Sequence, residues 1–308
     1  MPTEWPDLGA LELLLAVDEH GSLGAASRQL DLAQPNASRA LRRLEKQLGF
    51  TLVTRGARGS SLTPEGTVIV HWAHAVLAQS RHLLGAAEGL HGKYQSTITI
   101  CASLTTAEHL LPRWMGRFRQ HHDGLGVRLQ VQNSATVCER VIENRCDVGF
   151  IETPEVPDGL HSVVVAHDEL VVVVAPSHPW SRRQEPLTPA DLTSTPLVVR
   201  EAGSGTRSTL DAALAGTGRV EPLLELGSSA AVCSAVRSEA GPAVLSTLAV
   251  AEQRAHGDLV RVDVAGLDLR RRLRAVWTGP RVLPGPAGDL VRLAVDDHAV
   301  GHSAFDDT

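Results

Sequence analysis

Apolar residues recur at helical spacing in two short segments near the start of the chain, residues 24–30 and Gln34–Leu48. The apolar positions of the second segment lie three or four apart, which predicts one buried helix face: Ala37, Leu41, Leu44 and Leu48. Pro35 suits a first helical turn, and Gly49 follows where a left-handed C-cap is often needed. The pattern predicts a helix-turn-helix whose second helix has the size of a DNA major groove.

The polar positions of this second helix are strongly basic. Between Arg28 and Arg58 the chain has seven basic and two acidic residues, a net charge of +5, although the whole chain carries −6. A basic patch on an acidic protein is typical of phosphate binding. A solvated, arginine-rich helix is the alternative, but the two-helix pattern together with the charge favours DNA binding.

The same region resembles the N-terminal signature of LysR-type transcriptional regulators. The matching positions keep the family's order and spacing over about 60 residues: Val17, Gly21-Ser22, Ala25-Ala26, Leu30, Gln34-Pro35, Ser38, Leu44-Glu45, Leu48-Gly49, Leu52, Arg55 and Leu62-Thr63-Pro64-Glu65-Gly66. Ala33 and Val53 depart from the pattern, since the family often has serine and phenylalanine there. Loss of a hydroxyl at position 33 removes a phosphate contact or a helix cap.

The resemblance implies which residues face DNA. On the second helix it places Gln34, Pro35, Ser38 and Arg39 at base edges or flanking phosphates, and Arg42 at the DNA backbone. Asn36 and Arg43 also lie off the apolar stripe and are expected to face DNA. Arg55 and Arg58 would lie on the wing and reach phosphate or the minor groove. Glutamine can pair with adenine and arginine with guanine, whereas phosphate contacts set the register without reading the sequence.

A long helix is predicted after the wing. Thr63 is placed to cap this helix at its N-terminus. The apolar residues of the helix continue to about Gly89. A helix of about 25 residues is about 40 Å long, and its apolar stripe needs a partner. The resemblance implies a linker helix that pairs antiparallel with a second copy. Trp72 is expected in the interface between the two copies, with packing on the winged domain as the alternative. Residues 89–95 are interpreted as a hinge.

From Ser96 onward, strands and helices alternate. This order argues for a parallel sheet with helices on both faces. A second unit of the same kind starts at Glu169, and the last strand (269–278) and helix (288–299) are expected to return to the first unit. Two lobes connected by two segments of the chain resemble the periplasmic-binding-protein architecture. The family's effector domain has this form.

The predicted fold class is therefore an N-terminal all-α winged helix-turn-helix with a long linker helix, followed by a C-terminal α/β two-lobed effector domain. The expected ranges are 1–62 for the DNA-binding domain, 63–91 for the linker or dimerisation helix, and 95–302 for the effector-binding domain. Within the latter, lobe one spans about 95–167 and 269–302, and lobe two about 168–268.

Two loops that follow strands are candidate effector-binding segments, Ala102–Thr106 and Glu201–Arg207. Ligands of open α/β sheets bind beyond the carboxyl ends of strands. The candidate residues are Ser103, Leu104, Thr105, Thr136, Gly203, Ser204, Gly205, Thr206, Ser228 and Ser246. The sequence GSGTR resembles a segment shared by a subset of LysR-type regulators, several of which sense small carboxylates or oxyanions, so a small anion is expected. A glycine-rich turn with an N-cap is the alternative.

Other chemistry receives little support from the sequence. The four cysteines have no CxxC or metal spacing and are interpreted as reduced thiols, with a redox sensor at Cys138 and Cys146 as the alternative. Neither a secretory signal nor an apolar run of 18 residues is present, so we expect a cytoplasmic protein without a membrane span. We expect no cofactor and no metal.

The expected partners are double-stranded promoter DNA, a small-molecule effector and further copies of the chain, which form a dimer through the linker helix and a tetramer from two such dimers. Two other functions compete with regulation. The missing signal and the basic helix-turn-helix disfavour a solute-binding protein. The absence of GxSxG, HExxH and P-loop motifs disfavours an enzyme.

Overall fold

The computed structural model describes residues 5–56, 59–91, 97–216 and 220–303. Its contacts divide the chain into two units, one built from residues up to 94 and one from most of the rest. Of the hinge predicted over residues 89–95, residues 89–91 instead continue the long helix that begins at Pro64, and residues 92–95 lie outside the described residues, as does the wing residue Arg58.

The N-terminal unit is a helix-turn-helix with a hairpin wing, as predicted. Its elements in chain order are α1 (Leu8–His20), α2 (Leu23–Gln29), α3 (Gln34–Leu48), β1 (Val53–Gly56), β2 (Gly59–Leu62) and α4 (Pro64–His91). Ser22 caps α2, since its Oγ accepts a hydrogen bond from the Ala25 N–H at 3.1 Å. Ala33 precedes α3 and offers no side-chain cap. Gly49 ends α3 with φ at 85°, a conformation that glycine adopts without strain.

The core of this unit joins α1, α2, α3 and one side of α4. The predicted apolar face of α3 is confirmed: Ala37, Leu41 and Leu44 are buried, and Leu48 packs against the core half-buried. Glu45 fastens α3 to the wing, because its Oε1 accepts hydrogen bonds from the backbone N–H groups of Leu52 (2.8 Å) and Val53 (3.3 Å). Its role is therefore structural.

Helix α4 has two different apolar sides. Val70, Ala73 and Leu77 pack into the N-terminal core. The other side is exposed: Val68, Trp72, Val76, Leu83 and Leu84. Packing of Trp72 on the winged domain, the alternative considered above, is wrong, because this side chain is 63% exposed. Thr63 caps the helix as predicted, accepting from the Gly66 N–H at 2.9 Å.

The first lobe of the second unit is a five-stranded mixed sheet. Strands β3 (Thr97–Ala102), β4 (Gly126–Val131) and β5 (Val148–Ile151) are parallel, with α5 (Leu104–His109), α6 (Leu111–His121) and α7 (Ser134–Ile142) between them. Strand β11 (Arg270–Trp277) is inserted antiparallel between β5 and β6 (His161–Val174). Helix α12 (Gly285–Ser303) covers the core, which contains Trp114, Phe118 and Leu290.

The second lobe is built on the same β6. From Leu170 onward, β6 pairs antiparallel with β9 (Ala243–Ser246) and β10 (Val260–Val262). Strands β7 (Val198–Arg200) and β8 (Leu224–Leu226) extend the sheet beyond β9. Its helices are α8 (Pro189–Ser194), α9 (Gly205–Ala213), α10 (Ser229–Arg237) and α11 (Ala251–Ala255), with a 3-10 turn at Pro179–Arg182.

Two sequence-based expectations need correction. The sheet is mixed rather than parallel, because β6 and β11 run antiparallel to their neighbours. The strand predicted from Glu169 begins at His161 instead, so one 14-residue strand passes through both lobes. The return of the last strand and helix to the first lobe is confirmed by the pairing of β11 with β5 and by the packing of α12.

Candidate functional site

The polar residues of α3 form an exposed basic surface. The exposed members are Gln34, Pro35, Asn36, Arg39, Arg42, Arg43 and Lys46, while Ser38 is half-buried. Arg39 folds back on the first turn of the helix, where its Nη2 donates to Asn36 Oδ1 at 2.6 Å and its Nε donates to the Pro35 carbonyl at 3.4 Å. Arg55 lies on β1 of the wing.

These residues fall into two rows along α3. One row lines a cavity of about 290 Å³ beside the start of α1, formed by Asp7, Ala10, Asn36, Arg39, Ala40, Arg43, Leu44 and Gln47. Ser38, Arg42 and Lys46 are spaced four apart and form a separate row, since residues four apart are neighbours on a helix surface. The predicted DNA-facing residues therefore cover more than one side of the helix.

In the second unit, a buried arginine gathers residues from both lobes. The Arg271 Nη2 donates to Thr105 Oγ1 of the first lobe at 3.3 Å, and the Nη1 donates to Thr206 Oγ1 of the second at 3.1 Å. Its Nε and Nη2 both lie 2.8 Å from Asp168 Oδ2. Arg271 is 4% exposed, and it faces Asp168 directly in the β11–β6 register. We call these four residues the Arg271 cluster.

Further side chains extend this cluster on either side. Ser246 Oγ and Thr247 Oγ1 donate to Asp168 Oδ1 at 3.0 and 3.1 Å. Glu152, at the end of β5, has Oε2 3.2 Å from the Arg271 Nη2 and is 1% exposed. Ion pairs in such dry surroundings are weakly screened, so their charges matter for any ligand that binds beside them.

The loop before α9 is held in place by its own contacts. Glu225 accepts hydrogen bonds from Arg207 and, at 3.4 Å, from the Ala202 N–H. The Arg207 guanidinium keeps the pKa of the Glu225 carboxyl below its ordinary value. Gly203 has φ at 83°, and its carbonyl accepts from the Ala135 N–H of the first lobe at 3.1 Å. Arg207 of the GSGTR segment therefore positions the loop.

The structure brings together only part of the predicted effector set. Thr105, Thr206 and Ser246 share the Arg271 cluster and its extension. Ser103 is buried and donates to Thr106 Oγ1 at 3.2 Å, and Leu104 is the first residue of α5. Ser228 caps α10 by accepting from the Ala231 N–H at 3.1 Å. The Thr136 N–H donates to Asn133 Oδ1 at 3.0 Å.

Three charged residues were missed from the sequence: Glu152, Asp168 and Arg271. Strand alternation contains a signal for Arg271, because residues 271, 273 and 275 share one face and the other two are Leu273 and Ala275. An arginine on the apolar face of a strand needs a buried partner. Asp168 is likewise enclosed between two runs of valine.

The described part of the chain gives no support for a metal centre or a membrane-spanning helix. Within 5–56, 59–91, 97–216 and 220–303, His, Cys, Asp and Glu side chains form no group that could hold a metal ion. Over the same residues, the helices are too short or too polar to cross a bilayer.

Comparison with known proteins agrees with this architecture. The lysR-family bacterial regulatory helix-turn-helix matches residues 8–67, and the LysR substrate-binding domain matches residues 91–299. An HTH-type transcriptional regulator of Mycobacterium tuberculosis is 43% identical over 297 residues, which cover 93% of this chain and 95% of that one.

Two solved structures show the same fold. A full-length OxyR variant from Pseudomonas aeruginosa has a TM-score of 0.70 and 19% identity, with 96% of each chain covered. Full-length CbnR in complex with its target DNA has a TM-score of 0.65 and 19% identity, covering 96% of this chain and 99% of that chain.

The helix-turn-helix, the two-lobed α/β unit and these matches define a DNA-binding transcriptional regulator with an effector-binding domain. The chain belongs to the LysR family of transcriptional regulators.

Proposed function

We propose that this regulator binds promoter DNA through α3 and the wing, and that a small anion bound at the Arg271 cluster changes that binding. In this proposal residues 1–62 bind DNA, 63–91 dimerise and 95–302 hold the effector. The observation that carries the effector site is the pair of hydrogen bonds from Arg271 to Thr105 and Thr206, one from each lobe.

These hydrogen bonds support an anion for a simple reason. A threonine oxygen that accepts from a guanidinium keeps its own proton to donate elsewhere. Thr105 and Thr206 can therefore both donate to one acceptor held between the lobes. A ligand that contacts both lobes favours one arrangement of them over another, which is the requirement for a response.

For DNA, the proposal assigns base edges or phosphates to Gln34, Pro35, Asn36, Ser38, Arg39, Arg42 and Arg43, and phosphate to Arg55 and Arg58. The exposure of six of these side chains supports this assignment: Gln34, Pro35, Asn36, Arg39, Arg42 and Arg43. Arg39 must leave Asn36 to reach a base, which exchanges one exposed hydrogen bond for another.

We further propose a homodimer through α4, and a tetramer of two such dimers. Val68, Trp72 and Val76 are four residues apart and exposed by 57%, 63% and 42%. An exposed apolar row on a long helix favours burial against a second copy. The proposal also has the protein act in the cytoplasm, without catalytic activity of its own, as a regulator of transcription does.

DNA binding is tested first by fluorescence anisotropy. The full chain is titrated against the intergenic DNA upstream of its own gene and against a scrambled sequence, at physiological salt. A specific regulator should prefer its site by about 10³ or more. Arg39→Ala with Arg42→Ala should weaken binding and reduce the salt slope by roughly one per lost phosphate contact. Arg119→Ala, an exposed arginine on α6, is the matched control.

The effector site is tested in the same assay with a panel of small carboxylates and inorganic oxyanions. Thr206→Val should keep DNA binding and lose the response to the active anion. Thr209→Val is the control on the same helix, because its hydroxyl donates to the Gly205 carbonyl at 2.8 Å. If Thr206→Val still responds to the active anion, the GSGTR segment would be a glycine-rich turn without a role in effector binding. If the chain binds an anion but shows no preference for the intergenic DNA over the scrambled sequence, the solute-binding alternative would be favoured.

A further inference from the structure

Two buried polar atoms at the lobe interface lack a hydrogen-bond partner. Among the described residues, three buried side-chain oxygens have none, and two of them are Glu152 Oε2 and Ser204 Oγ. Both residues are 1% exposed. Buried polar atoms in native proteins are nearly always satisfied, so an unpaired carboxylate oxygen indicates a missing donor.

Arg271 does not supply that donor. Its Nη2 lies 3.2 Å from Glu152 Oε2 without hydrogen-bond geometry, because the guanidinium is directed to Asp168, Thr105 and Thr206. Glu152, Asp168 and Arg271 together have two carboxylates against one guanidinium. Glu152 Oε2 is therefore left without a hydrogen-bond donor of its own.

The two unpaired atoms come from opposite lobes that touch each other. A Cβ at Gly205 would lie 2.5 Å from Glu152 Cγ, so the residue after Ser204 is in direct contact with Glu152. Thr206, one residue further on, accepts from Arg271. Hydroxyl groups that can donate, on Ser204 and Thr206, and a carboxylate that can only accept, on Glu152, therefore lie on residues beside one contact between the lobes.

We infer that the effector is a small anion that also carries a hydrogen-bond donor, and that Glu152 selects for this donor. The inference rests on the effector site proposed above. The anionic oxygens accept from the Thr105, Thr206 and Ser204 hydroxyls, and an O–H or N–H of the same ligand donates to Glu152 Oε2. Hydroxy- and amino-carboxylates and protonated oxyanions meet this requirement. Fully deprotonated oxyanions and plain carboxylates place a lone pair against a carboxylate.

Matched ligand pairs test the inference by titration calorimetry of the full chain at pH 7. The pairs are L-lactate against propionate, L-alanine against propionate, and phosphate, which retains a proton, against sulfate, which does not. The donor-bearing member of at least one pair should bind roughly tenfold or more tightly than its partner. The pair that responds distinguishes carboxylate from oxyanion ligands.

Glu152→Gln supplies a donor where the carboxylate has none, so it should bind sulfate or propionate and reduce the preference at least tenfold. Glu155→Gln, an exposed neighbour, should keep the wild-type preference. Equal or tighter binding of the donor-free member in every pair that the wild-type chain binds overturns the inference without reference to any variant. Binding of none of the five ligands overturns both this inference and the proposed anion site, while specific operator binding would leave the regulatory function standing.

Discussion

Gly205 packs directly against Glu152, and the contact joins the two lobes of the effector unit. A Cβ at position 205 would lie 2.5 Å from Glu152 Cγ and 2.7 Å from the Glu152 carbonyl carbon. Backbone atoms are among the neighbours, so rotation of a side chain alone cannot make room. Glycine is required here by closeness of approach, since its φ is not in the left-handed region.

The first prediction concerns this contact. Gly205→Ala should lower the free energy of unfolding by about 1–3 kcal/mol, because the added methyl forces the lobes apart, and it should abolish the effector response. Gly227→Ala is the control: it lies just before α10 of the same lobe, as Gly205 lies at the start of α9, but a Cβ at Gly227 meets nothing within 4 Å. Denaturant unfolding measures the difference. Similar unfolding curves for the two variants would show that the lobes can move apart without loss of stability.

The second prediction concerns the buried arginine. Arg271→Met should lower the free energy of unfolding by about 3–5 kcal/mol, because Asp168 is left as an uncompensated buried charge. Arg270→Ala, its exposed neighbour on β11, should have little effect, since its pairing with Asp268 is screened by water. Urea unfolding of both variants provides the test, and equal stabilities would contradict the assigned role of Arg271.

The third prediction concerns the start of α3. Ala33→Ser should supply the missing cap and stabilise the helix by about 1 kcal/mol, whereas Ser22→Ala should destabilise α2 by a similar amount. Hydrogen exchange followed by mass spectrometry reports the two helices separately. Slower exchange should be confined to the first turn of α3 in Ala33→Ser. If exchange there does not change, the serine side chain points elsewhere and position 33 has no capping role.

The fourth prediction concerns alkaline pH. Burial raises the pKa of the Cys138 thiol from its ordinary 9.0 to about 11, with the Glu139 charge adding to the effect. The folded chain therefore holds this proton more tightly than the unfolded chain. The resulting stability is fully present below pH 9 and is lost as the pH rises towards 11, by at most about 1.4 kcal/mol per pH unit.

Cys138→Ala removes this titration. Its free energy of unfolding should be lower at pH 7, through lost packing, but should decline less steeply between pH 9 and 11 than that of the wild type. Parallel declines would assign the alkaline loss to other groups.

The residues of α3 could be predicted because one short segment contains its own apolar face, its proline and its terminal glycine. The direction of β11 could not be predicted from the sequence. Its partner residues in β5 and β6 lie more than 100 residues earlier in the chain, and the sequence around β11 does not indicate their direction. The first half of β6 was missed because His167 and Asp168 interrupt its apolar run. The same interruption places Asp168 opposite Arg271, so the least strand-like position belongs to the candidate site.

The position of β11 between β5 and β6 also bears on how the protein is made. A ribosome completes β3, β4 and β5, then the whole second lobe, before it delivers residues 270–277. Throughout that interval β5 is an open edge, able to pair with strands of other chains. Emergence of β11 closes the edge and brings Arg271 to Asp168 in the same event. The nascent chain thus forms its proposed ligand site only when its last strand arrives.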